Sequence, residues 1–170
     1  ALKYGLLAAV AMVLWLLGEY AFGFHGPRLA VGQYTSWGPE IILVLAIWRL
    51  LHHQLHAANR YWLPVWQGLL QGLLASLVAA LGLYIFLSVY LQFINPEFPD
   101  IYLEWEVGRL RASARPEEEI REIARGFRWS TSPVGLPVSI VGLCLVIGLV
   151  TSPLLTLWLN WRRKETVDPG

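Results

Sequence analysis

The chain has 170 residues, enough for one domain, of which 56% are hydrophobic and only 15% charged; soluble domains carry roughly 25% charged residues. Thirteen basic and twelve acidic side chains leave a net charge of +1, which gives no electrostatic case for nucleic acid as a partner. The single cysteine, Cys144, cannot close an internal disulfide and so leaves the redox compartment undetermined.

The first apolar run, residues 4–24, contains one charge, Glu19. A secretory h-region runs to about 7–15 residues, so this longer run reads as a retained membrane span. Residues 25–38 form a Gly-bearing connector, with Pro27 and Pro39 as helix breakers. A second run, 37–56, is less apolar. Glu40, Arg49, His52, His53 and His56 flank its short centre. It is nonetheless expected to span, because four crossings return both chain ends to one side.

The third run, 61–94, carries no formal charge at all, and it is well past the roughly 18–20 residues that cross a bilayer core. Gly68, Gly72, Ser76 and Ala80 recur every fourth residue, a small-xxx-small ladder that admits a neighbouring helix closely. Gln67, Gln71 and Gln92 are its other polar groups, and the first two are expected to bridge helices. Asn95-Pro96 ends the run.

Residues 95–131 hold most of the charge, with eight acids against six arginines. Two short amphipathic helices are expected there, an extramembrane hairpin. The second starts at Pro116 with three glutamates that complement the helix dipole, and it carries Ile120, Ile123, Ala124 and Phe127 as an apolar stripe. Glu117 and Arg121 are expected to pair at i,i+4. The last run, 132–161, is the fourth span. Pro137 and Pro153 are expected to kink it, and Gly135, Ser139, Gly142 and Gly148 offer small contact positions. It ends in Trp158, Trp161 and the basic Arg162-Arg163-Lys164.

Orientation is close to a tie. With the N-terminus inside, Lys3, Arg49, Arg60, Arg162, Arg163 and Lys164 are cytoplasmic, against Arg28 and the six hairpin arginines outside. The basic tail directly at a helix end, with Trp62, Trp66, Trp158 and Trp161 near it, favours both termini in the cytoplasm.

Three groups of residues could carry function. Glu19 and Glu40 fall toward one membrane face, where ionisable groups are costly and usually meet a partner or a water-filled cavity. They read either as an ion or proton site, with His25 or Arg28 nearby, or as solvated interfacial acids. Arg49, His52, His56, Arg60, Arg162, Arg163 and Lys164 form a basic rim suited to anionic lipid headgroups. His52 and His56 also stand at metal-binding spacing, but no third ligand is in view, so no metal site is expected. Gly68, Gly72, Ser76 and Ala80 serve helix packing. No phosphate-gripping loop, Ser–His–Asp pattern or paired-cysteine motif is readable, so neither a catalytic residue nor a cofactor is expected.

Lys3-Tyr4-Gly5, Trp66-Gln67-Gly68 and the run Asn95-Pro96-Glu97-Phe98-Pro99-Asp100-Ile101-Tyr102, followed by an acidic hairpin and a basic-ended fourth span, carry a resemblance. The chain resembles a family of small four-span bacterial inner-membrane proteins known only as a domain of unknown function. That resemblance implies no activity or catalytic residue. It does imply an association with glycosyltransferases that use a polyprenyl-phosphate carrier.

These readings make the chain a single all-α membrane domain, a four-helix bundle of the bacterial inner membrane with a helical hairpin between spans three and four. The expected function is a non-catalytic accessory or scaffolding subunit in contact with membrane lipids, docking a protein partner through the hairpin or the basic face. The alternative is a small carrier or flippase-like partner of a polyprenyl-phosphate glycosyltransferase. A proton- or ion-coupled transporter comes third, and it would call for a homodimer.

Overall fold

A computed structural model describes residues 1–57, 62–113 and 115–167, without the side chains of residues 57 and 164–167. Every element among the described residues is helical: α1 (Leu2–Ala21), α2 (Leu29–Thr35), α3 (Gly38–Ala57), α4 (Val65–Val89), α5 (Phe98–Ala112), α6 (Glu117–Ser130) and α7 (Gly135–Val167). Three stretches are long and apolar enough to cross a membrane: Leu2–Ala21, Val65–Ile94 and Gly135–Arg163. Their outward faces are apolar, with Leu6, Val10 and Leu14 on α1, Leu74, Leu77 and Leu81 on α4, and Val146, Leu149 and Val150 on α7 all exposed. Helices apolar all round belong in lipid. With 20 residues, α3 is long enough, about 30 Å, but Glu40, Arg49 and the histidines dilute its apolar content and it is not among the three.

The core collects Ala8 and Met12 of α1, Leu43, Ile47, Leu51 and Leu55 of α3, Ala79, Ala80 and Leu83 of α4, and Cys144 and Leu159 of α7. The most extensive helix pairing is α4 with α7, followed by α4 with α1 and α1 with α3. The α4–α7 seam is built on missing side chains. A Cβ added at Gly68 would collide with Thr156, one at Gly72 with Ser152, and one at Gly148 with Ser76. Ala80 is completely buried. The α7 hydroxyls in the seam are satisfied within that helix, Ser152 Oγ donating to Gly148 O at 2.5 Å and Thr156 Oγ1 to Ser152 O at 2.7 Å, whereas Ser76 Oγ, buried opposite Gly148, makes no hydrogen bond. Close backbone approach is what small-residue helix pairing in lipid exploits. Gly142 and Ser139, by contrast, take no part in the seam: a Cβ at Gly142 meets nothing, and Ser139 is exposed.

At the far end of this seam Asn160 joins α7 to the segment before α4. It is 5% exposed, its Oδ1 accepts from Leu63 N–H at 3.0 Å, and its Nδ2 donates to Leu63 O at 2.9 Å.

Several local expectations change. The connector 25–38 contains α2, a short helix closed by Thr35 Oγ1 donating to Gly32 O and Ser36 Oγ donating to Gln33 O. Pro137 does not kink α7, because it lies in the first turn, where the N–H it lacks would have no intrahelical partner. Only Pro153 lies inside the helix. Glu117 does not pair with the Arg121 head through its carboxylate. That carboxylate accepts from Arg111 Nε at 3.3 Å across the turn, while Arg121 Nε donates to the Glu117 backbone oxygen. The reach across the α5–α6 turn ties two helices, which the i,i+4 pair would not do.

The end of α4 also departs from regularity. Its last turn, Tyr90–Ile94, widens to π-helical spacing, with Asn95 N–H bonding Tyr90 O at 2.8 Å. Such a bulge re-aims side chains and often marks a functional position. Tyr90 itself keeps to the buried stripe of Leu83 and Leu87 and is 1% exposed, and the widening falls on the residues that follow it.

Candidate functional site

Glu19 lies near the C-terminal end of α1 and Glu40 in the first turn of α3. The chain reverses between them at Gly23, whose φ of 76° lies in the left-handed region that a side chain disfavours. This reversal folds His25 back beside α1. Its Nε2 comes to 3.4 Å from Glu19 Oε2, and its Nδ1 lies 2.7 Å from the Tyr90 hydroxyl. Asn95 Nδ2 donates to the same hydroxyl at 2.9 Å and reaches the His25 carbonyl at 3.5 Å. One set of protons satisfies this chain: Asn95 donates to Tyr90, Tyr90 to His25 Nδ1, and His25 Nε2–H faces Glu19.

Glu19 is 5% exposed; the His25, Thr35 and Trp15 side chains lie against its carboxylate, yet its Oε1 makes no well-formed hydrogen bond, and neither does the enclosed Oε2 of the half-buried Glu40. Both residues line one cavity of about 170 Å³, close enough for their charges to interact. Its other walls are apolar: Met12 and Leu16 from α1, Leu83 and Leu87 from α4, Ile140 and Ile147 from α7. Tyr90 and Phe98 add aromatic faces, and the His25 ring packs against both. Arg28, considered with His25 as a neighbour of these acids, is exposed and does not line the cavity.

On the other side of Glu19 and His25 lies a second hollow of about 360 Å³, lined by Gln33 and Trp37 and by Tyr102, Trp105, Glu106, Arg109 and Phe127 of α5 and α6. Glu19 and His25, with Ser36 and Phe98, therefore line both an apolar chamber and a largely aromatic vestibule that carries Gln33, Glu106 and Arg109. In the vestibule wall Glu106 is 4% exposed and is clasped by Arg109 through both nitrogens Nε and Nη2. The carboxylate holds the Arg109 guanidinium above its usual pKa by hydrogen bonding and charge. Burial, and after it the Glu106 charge, raises the Tyr102 phenol above its usual value of 10. The Arg109 guanidinium also lies 5.7 Å from the centre of the Trp105 ring.

The basic residues gather at the other end of α3, about 24 Å from Glu40 along the helix. His52 and His56 face each other at 3.1 Å, Arg163 Nη2 reaches His56 Nδ1 at 3.1 Å, and Arg49 lies within electrostatic range of His52. Arg162 stacks over Trp158 at 5.3 Å. Arg60 and the side chain of Lys164 fall outside the described residues. Among the described residues no group of three or more His, Cys, Asp or Glu side chains could hold a metal.

Glu19 and Glu40 are readable from sequence as charges inside apolar runs. Tyr90, Asn95 and the cavity position of Cys144 are not, although Asn95-Pro96 marks the helix end that produces the bulge. Fold and site together define a membrane protein that is helical throughout its described residues, with three helices among them able to cross a membrane and two enclosed carboxylates, Glu19 and Glu40, lining one cavity. The chain belongs to the family described as "Protein of unknown function (DUF4199)", which it matches over residues 3–160. No curated protein and no solved structure matches it.

Proposed function

We propose that this chain is a four-span integral protein of the bacterial inner membrane that binds a small molecule between its helices, and so acts as a carrier. In this reading α3 crosses beside α1, α4 and α7 as the fourth member of a bundle, both termini are cytoplasmic, and α5 and α6 form the extramembrane hairpin. The observation that carries it is the pair of unpartnered carboxylate oxygens, Glu19 Oε1 and Glu40 Oε2, facing one apolar cavity. A buried carboxylate oxygen left without a hydrogen bond costs about 1–3 kcal/mol or more. A protein built only to scaffold would have no use for two of them.

The cavity does not suit a polyprenyl phosphate, since two carboxylates would repel its headgroup. Such a lipid belongs, if anywhere, at the basic cluster of Arg49, His52, His56 and Arg163. The scaffolding reading keeps one specific support, the exposed outer surface of α6 with Trp129 at its end.

The test is modification by dicyclohexylcarbodiimide, an apolar reagent for carboxyl groups in lipid-accessible sites. With the full chain in lipid nanodiscs, mass spectrometry should find the adduct on Glu19 or Glu40 and lose it in Glu19→Gln/Glu40→Gln. No adduct on either residue ends the carrier reading. A host phenotype abolished by hairpin charge reversal but untouched by the double Gln variant would favour the scaffold.

A further inference from the structure

The cavity's lining also selects among ligands. We propose that it is a binding site for an ammonium group carried on an apolar tail, which enters sideways from the lipid; this rests on the carrier reading above. Two carboxylates rule out an anionic headgroup. They also fall short of what an inorganic cation needs, since Mg²⁺ and Ca²⁺ take about six to eight oxygen ligands and the rest of the lining adds only the side-chain oxygens of Ser36 and Tyr90. An ammonium asks for less. Two carboxylate oxygens accept from two of its three N–H groups, aromatic faces stabilise its charge, and an apolar wall takes its tail. All three are present: Glu19 Oε1 and Glu40 Oε2 are unpartnered, Tyr90 and Phe98 present rings, and Leu83, Leu87, Ile140 and Ile147 supply the wall.

Depth fits the same ligand. Glu19 is two residues from the end of α1, and Glu40 is two residues into α3, so both stand near the membrane surface. The apolar walls run inward from there. Leu143, which lines the cavity, is 41% exposed on the outer face of α7 about 12 Å from that helix's start, so the chamber opens sideways at hydrocarbon depth. A charged head near the interface with its tail pointing inward is how an amphiphilic amine already lies in a bilayer. It could slip in without turning over. The aromatic vestibule beyond His25, with Gln33 and Glu106 in its wall, then gives the head a way out of the membrane.

The experiment measures binding of octylammonium to the full chain in phosphatidylcholine nanodiscs, by calorimetry against empty discs, with 1-octanol and octanoate as neutral and anionic counterparts. Octylammonium should bind saturably, with octanol and octanoate at least about tenfold weaker, a difference of roughly 1.4 kcal/mol. Glu19→Gln and Glu40→Gln should each weaken octylammonium by a similar factor while leaving octanol unchanged. Ile140→Phe, which fills the wall and spares both carboxylates, should weaken it as well. Discs containing phosphatidylethanolamine separate two sources of the ammonium. Competition there supports a lipid headgroup, and no competition supports a free amphiphilic amine. If octanol binds as tightly as octylammonium, or if the Gln variants bind octylammonium normally, the ammonium assignment is overturned while the cavity and its carbodiimide adduct stand. If none of the three probes binds and no adduct forms, the carrier reading falls with it.

Discussion

Asn160 offers the most direct test of how this protein is held together. Its amide accepts from Leu63 N–H at 3.0 Å and donates to Leu63 O at 2.9 Å, both buried. Replacing it with leucine keeps most of the volume and removes both partners. Two backbone groups are then left unsatisfied, at about 1–3 kcal/mol each, so the expected loss is about 2–6 kcal/mol. Asn160→Asp separates the two bonds. It keeps an acceptor for Leu63 N–H, sets a carboxylate against Leu63 O, and should lie at or beyond the leucine variant. Reversible unfolding in mixed micelles, followed through tryptophan fluorescence, reads the difference. A leucine variant within about 0.5 kcal/mol of the parent, the range of ordinary surface changes, would mean that water or another side chain already serves Leu63, and that the clamp is not needed.

Gly72→Ala should cost about 1–3 kcal/mol by overpacking against Ser152. Adding Ser152→Gly should recover part of that loss, and strictly additive effects in the double-mutant cycle would refute direct contact. Glu106→Gln should loosen Arg109 and open the vestibule wall, read as faster hydrogen exchange over residues 98–112 with the α4–α7 seam unchanged; uniform exchange would refute it. Because burial raises the Tyr102 phenol above 10, the folded state keeps it neutral where the unfolded chain ionises it. Its contribution to stability is therefore complete below about pH 10 and is lost as pH rises through the folded value. Tyr102→Phe should flatten that alkaline slope, and an unchanged slope would assign it to another group.

Hydropathy along the chain determined most of the architecture, because each long apolar run has to bury or immerse its backbone as a helix wherever it lies. Charges inside those runs marked Glu19 and Glu40 for the same reason: an ionisable group in hydrocarbon is costly enough to stand out. The spacing of Gly68, Gly72, Ser76 and Ala80 likewise announced a seam on one face of α4. What faced that seam depended on the rotation of α7, so Ser152 and Thr156 rather than Ser139 and Gly142 supplied the contacts. The cavity depended on still more distant relations. Tyr90 follows the buried stripe of Leu83 and Leu87 into it, but the partners of its hydroxyl, His25 and Asn95, come from other segments, and His25 reaches Glu19 only because the chain reverses at Gly23. Periodicity specifies which face of a helix is apolar, whereas a site of this kind is specified by how several helices are turned toward one another, and that angle is settled only when they pack.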